Sequence, residues 1–248
     1  MKKSYLPNII TALNLVSGFL SIVFASEGNF EFAAALILVA SIFDLTDGIV
    51  ARLLKTSSQF GVELDSLSDA ISFGAAPAFL IYKFHFYSLG WIGILLSSML
   101  LLFGVLRLAR FNTQIEDLEN KTDFKGLPIP LSAITIAMFI LYEYNTNDFI
   151  NYFNFLAIPL VIILSVAMVS NIKYSAFPKL NKSSLKGKAF YLLFTIIGLV
   201  LTFLTDGTAL FYIFLGIVFW GIAKHFSKKI FHSVNNKDDN VELKEKQI

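Results

Sequence analysis

Blocks of predominantly apolar residues, each long enough to cross a lipid bilayer, follow one another from residue 9 to residue 225. About 17–25 such residues in a row read as a spanning helix. A backbone in lipid must satisfy its own N–H and C=O groups, which leaves helices or a closed barrel. The blocks are too long for strands and too uniform for amphipathic surface helices. The fold class is therefore all-α, a polytopic integral membrane protein. Eight spans are expected, at about 9–25, 31–53, 65–83, 89–109, 129–144, 153–170, 189–205 and 208–225.

Composition agrees with that class. Hydrophobic residues make up 56% of the chain and charged residues 15%, against about 25% charge in a soluble domain. There is no cysteine, which excludes disulfides and thiolate metal sites. A net charge of +2 gives no reason to invoke nucleic acid. The basic N-terminus, MKKSYLPN, precedes an apolar run without a small-residue cleavage site, so that run is read as a retained helix. No linker divides residues 1–226, which are taken as one membrane domain. Residues 227–248 are polar and charged and are expected to form a disordered cytoplasmic tail.

Charge placement tests the span count. With eight spans, 19 of the 20 Lys and Arg residues lie on the side of the two termini, and only Lys83 lies opposite. Basic loops stay cytoplasmic, so both termini are expected in the cytoplasm, with the protein in the cell (inner) membrane.

Against this background the segment SIFDLTDGIVARLLKTSSQFGVELDSLSDAISFG is unusual. Asp44 and Asp47 are three residues apart at the cytoplasmic end of the second span. Asp65 and Asp69 are four apart at the start of the third. Both spacings put two carboxylates on one helix face, and a short connection packs the two helices antiparallel. Four converging carboxylates repel one another and are costly to bury. Hard divalent cations with oxygen ligands compensate such charge, and two of them would clamp a diphosphate. Ion pairs with Arg52 and Lys55 are the plainer alternative. Gly48, Ala51 and Gly61, the last placed in the connection, leave room for a ligand, and Arg52 offers a fork of donors for phosphate oxygens. Intramembrane carboxylates also mark ion pathways, so a cation or proton transporter is the competing class. That reading expects carboxylates near the midplane, on broken helices.

Read as D-x-x-D-G-x-x-A-R, eight residues, G-x-x-x-D-x-x-x-D, the segment Asp44–Asp69 resembles the signature of the CDP-alcohol phosphatidyltransferases at every defined position. The resemblance implies a helical core with its site at the cytoplasmic interface. It implies two divalent ions, Mg2+ or Mn2+, held by Asp44, Asp47, Asp65 and Asp69, with Asp69 also the base that deprotonates the incoming alcohol. It places Gly48, Arg52 and Ser58 at the CDP moiety of CDP-diacylglycerol. The PNIIT stretch of the first span resembles the family's entry motif, which puts Asn8 and Thr11 near the nucleotide.

The stretches RLARFN, GLPIP and VSNIKYSAFP resemble the bacterial phosphatidylserine synthases within this family. They imply L-serine as acceptor, giving phosphatidylserine and CMP. Glycerol phosphate or an inositol phosphate would use the same chemistry. Arg107 and Arg110, three apart on one helix face, are candidates for the serine carboxylate, with Asn112 and Lys125 as further contacts. Pro128 and Pro130 suit the first turn of the fifth span. His85, His225 and His232 show no ligand spacing and are expected at surfaces or interfaces. The lysine-rich loop 173–188 suits an ordinary cytoplasmic loop or anionic lipid headgroups. Membrane lipids are expected partners, and small residues in the spans allow a homodimer.

Overall fold

The computed structural model describes residues 5–56, 58–116, 126–145, 150–172, 210–221 and 223. Those residues are helical apart from short connections. Helix α1 (Tyr5–Ser26) and helix α2 (Phe30–Leu54) form a hairpin. Gly28 makes the turn at φ 84°, a conformation that L side chains rarely adopt. Asn29 then caps α2 by accepting from the Phe32 N–H. The buried faces of the hairpin are built from small residues: Ala25, Ala33, Ala34 and Ala40 have no exposed surface. Such residues let helices approach closely in a membrane, and the Ser21 hydroxyl donates across the hairpin to the Ala33 carbonyl at 2.8 Å.

At the far end of α2, Lys55 turns left-handed (φ 51°) and its N–H returns to the Ala51 and Arg52 carbonyls. Ser58 then opens helix α3 (Gln59–Asp69) by accepting from the Gly61 N–H at 3.1 Å. The expected third span therefore begins six residues early. Gly61 sits in the first helical turn, not in the connection, because Ser58 supplies an N-cap that the apolar pattern does not reveal. After Asp69 the helix widens into a π turn over Ala70–Ala75. It continues as α4 (Ala76–Ile81), widens again over Tyr82–Phe86 and tightens to a 3-10 turn over Tyr87–Leu89. The expected polar gap FHFYS is thus helical.

Helix α5 (Trp91–Glu116) returns to the aspartate end. Helices α6 (Ile129–Asn145), entered through Pro128 with Pro130 in its first turn, and α7 (Ile150–Val169) follow. A helix α8 covers Leu210–Gly221. It docks on α6, where the Tyr212 and Tyr142 hydroxyls bond at 2.9 Å and the Phe139 and Phe211 rings lie 5.4 Å apart.

Among the described residues, four helical stretches are long and apolar enough to cross a membrane: Tyr5–Ser26, Phe30–Leu54, Gln59–Leu89 and Trp91–Thr113. Shorter apolar helices cover Ile129–Tyr144, Leu156–Val169 and Leu210–Gly221. The expected span 189–205, the loop 173–188, Lys125, His225, His232 and the tail 227–248 lie outside the described residues.

Candidate metal and nucleotide site

Helical spacing puts Asp44 and Asp47 one turn apart on α2, and Asp65 and Asp69 one turn apart on α3. The turn at Lys55 and the cap at Ser58 fold these helix ends back on one another. Carboxylate oxygens of Asp44, Asp47 and Asp65 all lie within 4.8 Å of each other. Asp69 stands beside Asp44, within reach of its side chain. Asp47 and Asp69 are buried and the other two half-buried.

Among the described residues, nothing basic neutralises this cluster by direct pairing: neither Arg52 nor Lys55 forms an ion pair with any of the four aspartates. Oδ1 of Asp65 and Oδ1 of Asp69 are buried without a hydrogen-bond partner. Unsatisfied carboxylate oxygens in a dry site are costly. An all-oxygen donor set with free, inward-facing atoms fits a hard divalent cation.

The surrounding residues build the walls. Thr11 on α1 donates to Asp47 Oδ2 at 2.7 Å and also contacts the Pro7 carbonyl at 3.0 Å. Asn8 lies one turn before Thr11. A Cβ at Gly61 would stand 3.2 Å from both Asn8 Oδ1 and Ser58 Oγ, so the glycine lets α1 and α3 meet. A Cβ at Gly48 would stand 3.5 Å from the Arg52 guanidinium, which folds over that side of α2. Ala51, half-buried, gives its carbonyl to the Lys55 and Thr56 N–H groups that end α2.

The residues proposed for an acceptor separate. Arg107 is half-buried within electrostatic reach of Asp69, and its Nε has no hydrogen-bond partner. Arg110 points elsewhere: its guanidinium donates to Asn171 Oδ1 at 2.9 Å and to the Val169 carbonyl at 3.4 Å. Asn112 donates to Ser66 Oγ on α3 at 2.9 Å. The Gly126 and Leu127 N–H groups reach the Ile172 and Ala167 carbonyls at 2.9 Å each. The RLARFN, GLPIP and VSN stretches are therefore stapled together beside the aspartates.

Two features escape the motif reading. Asn14, one turn beyond Thr11, is fully buried with both Oδ1 and Nδ2 unpartnered. Its carbonyl accepts from Ser72 Oγ at 2.9 Å. The i, i+3 spacing from Thr11 was the available signal. His85, expected at a surface or interface, is instead buried and bonded to Glu143 of α6. Phe84 and Phe139 pack around its ring at 4.8 and 5.4 Å between centroids. Aromatic packing at this level carries the helix through what the sequence presents as a loop.

Fold and site together define an integral membrane protein, helical throughout its described residues, with a carboxylate cluster that could hold a metal ion at one end of its bundle. The chain belongs to the CDP-alcohol phosphatidyltransferase family, whose sequence profile it matches over residues 4–168. It is similar to the CDP-diacylglycerol–serine O-phosphatidyltransferase of Helicobacter pylori strain 26695, at 36% identity over 217 residues, 86% of this chain and 90% of that one. The archaetidylserine synthase of Methanothermobacter thermautotrophicus is 42% identical over 68% of this chain and 69% of its own. The Bacillus subtilis CDP-diacylglycerol–serine O-phosphatidyltransferase is 33% identical over 71% of this chain and 93% of its own.

Proposed function

We propose that this enzyme transfers the phosphatidyl group of CDP-diacylglycerol to L-serine, giving phosphatidylserine and CMP. The observation that carries the chemistry is the convergence of three aspartate carboxylates within 4.8 Å, with Asp69 beside Asp44. The relatives named for serine transfer support the acceptor.

In this reading Asp44, Asp47, Asp65 and Asp69 hold two divalent ions, Mg2+ or Mn2+. Bound there, such ions offset the diphosphate charge and make CMP a better leaving group. Asp69 takes the proton of the serine hydroxyl, whose oxygen is a poor nucleophile until it is lost. The new bond forms between that oxygen and the phosphorus carrying diacylglycerol, and the bond from that phosphorus to the CMP oxygen breaks. Asn8, Thr11, Gly48, Ala51, Arg52, Ser58 and Gly61 bound the CDP moiety. Arg107 is the first choice for the serine carboxylate, because it lies within electrostatic reach of Asp69 while Arg110 is engaged by Asn171. Asn112 and Lys125 remain secondary candidates. The basic-residue asymmetry of the sequence supports a cytoplasmic site in the cell membrane, where CMP and serine are soluble.

The test is CMP release by the purified full-length protein with CDP-diacylglycerol and a panel of acceptors: serine, glycerol phosphate and inositol phosphate. Release with serine alone is expected. Release with another acceptor and none with serine would sink the assignment. Removing divalent metal with EDTA should abolish release, and Mg2+ or Mn2+ should restore it.

A further inference from the structure

The buried face of α1 is a single stripe at helical spacing: Pro7, Thr11, Asn14, Ser17, Gly18, Ser21 and Ala25. Most of its polar members have visible partners. Thr11 bonds Asp47, Ser17 returns to the Leu13 carbonyl at 2.8 Å, and Ser21 bonds Ala33. Asn14 does not, although its side chain has no exposed surface. Leaving a carboxamide buried and unsatisfied costs about 1–3 kcal/mol per orphaned group. Native structures rarely tolerate that without a ligand, water or ion.

The neighbouring contacts fix where Asn14 faces. Along α2, Thr11 meets Asp47 and Ser21 meets Ala33. That places Asn14 level with Phe43, next to Asp44 in the chain. Along the third helix, Gly61 lies against Asn8 and Ser72 against Gly18. That places Asn14 level with Ser68, next to Asp69. Asn14 thus lies on the buried face of α1 within about one residue of the level of Asp44 and of Asp69, whose Oδ1 has no partner.

We propose that Asn14 is a positioning residue at the floor of the aspartate site. It supplies a neutral amide that faces the cation-binding carboxylates Asp44 and Asp69 from the membrane side. The amide nitrogen donates to a carboxylate oxygen, and the amide oxygen accepts from water in the cation's coordination shell. A neutral group suits this place, because a fifth carboxylate would add repulsion and a basic residue would displace the cation. The inference rests on the cation reading given above.

The test reads metal binding, not turnover. Full-length protein in detergent is stripped with EDTA and titrated with Mn2+, free Mn2+ being followed by electron paramagnetic resonance. Asn14→Leu, close in volume, should weaken Mn2+ binding roughly 10- to 100-fold, the range for losing a partner of metal ligands. Ser17→Ala, on the same stripe but bonded within α1, should bind as wild type does. Wild-type affinity in Asn14→Leu overturns the proposal. Absence of Mn2+ binding by the wild type would instead overturn the cation reading itself. Should Asn14→Leu fail to fold, thermal unfolding of Asn14→Asp decides. A carboxylate facing the cation should lower the unfolding temperature in EDTA and recover it in Mn2+. No loss in EDTA, or a loss that Mn2+ does not repair, overturns the proposal.

Discussion

The Thr11 hydroxyl donates to Asp47 Oδ2 at 2.7 Å, tying the first helix of the chain to a carboxylate 36 residues on. The bond links the entry motif PNIIT to the aspartate signature, and it gives Thr11 a task besides proximity to the nucleotide. Thr11→Val keeps the shape and removes the donor. It should raise the metal concentration needed for half-maximal transfer by roughly 10-fold, the lower range for an outer partner of a metal ligand. Thr11→Ser should restore the wild-type requirement. An unchanged metal requirement in Thr11→Val would show that the bond does not hold Asp47 in place.

Asp69 is the aspartate that stands beside Asp44 with a buried oxygen free of any hydrogen bond. Asp69→Asn is expected to lower serine-dependent CMP release by at least about 100-fold, as loss of a general base does. Binding of CDP-diacylglycerol, measured in the presence of metal, should persist. Loss of binding and release in equal measure would assign Asp69 to the ligand role alone.

Gly18 crosses the π turn so closely that a Cβ would stand 2.3 Å from Ser72 Oγ and 2.5 Å from its Cα. The backbone contact leaves no flexible atom to yield. Gly18→Val should destabilise the protein by about 1–3 kcal/mol, as overpacking does. The readout is thermal unfolding in detergent. Because α1 would be pushed from the third helix, activity should fall at temperatures well below unfolding.

At the opposite end of the bundle, about 16 residues and so ~24 Å of helix from Asp69, His85 is bonded to the buried Glu143. Removing one partner leaves the other stranded, which typically costs about 3–5 kcal/mol, whereas replacing both with apolar groups is often neutral. His85→Phe should therefore lower the unfolding temperature more than the double variant His85→Phe/Glu143→Leu. Equal losses would mean that the pair is not coupled. Metal affinity should be unaffected in both.

Much of the architecture could be read from hydrophobic block length, because lipid imposes one rule on every segment. Expected spans one to four fall on helices long and apolar enough to cross a membrane, spans five, six and eight fall on shorter apolar helices, and the aspartates converge as their spacing implies. Two things were hidden. The early start of α3 depends on one serine side chain capping a backbone N–H, a local bond that hydropathy does not register. The helix through His85 depends on its meeting Glu143, 58 residues away, which no window along the chain can show. For the same reason Arg107 and Arg110 look equivalent in sequence and differ in the fold, one within electrostatic reach of Asp69 and the other held by Asn171.

The wide turn at Ala70–Ala75 has a further consequence. A regular helix advances 3.6 residues per turn, so a wide turn holds roughly one residue more than its neighbours. That surplus is taken up within the turn, so Asp69, which must face the carboxylates, and the Phe73–Ile81 segment, which must face the core, both keep their faces. Deleting a single residue between 70 and 75 would let the turn close to a regular helix with the two halves facing as before. A further residue inserted, or a second one deleted, would swing one half against the other by about 100°. Among descendants of this sequence, point changes and single deletions in that stretch are the tolerable kind of variation. Insertions and longer deletions there should be purged unless a compensating change arises within the same turn.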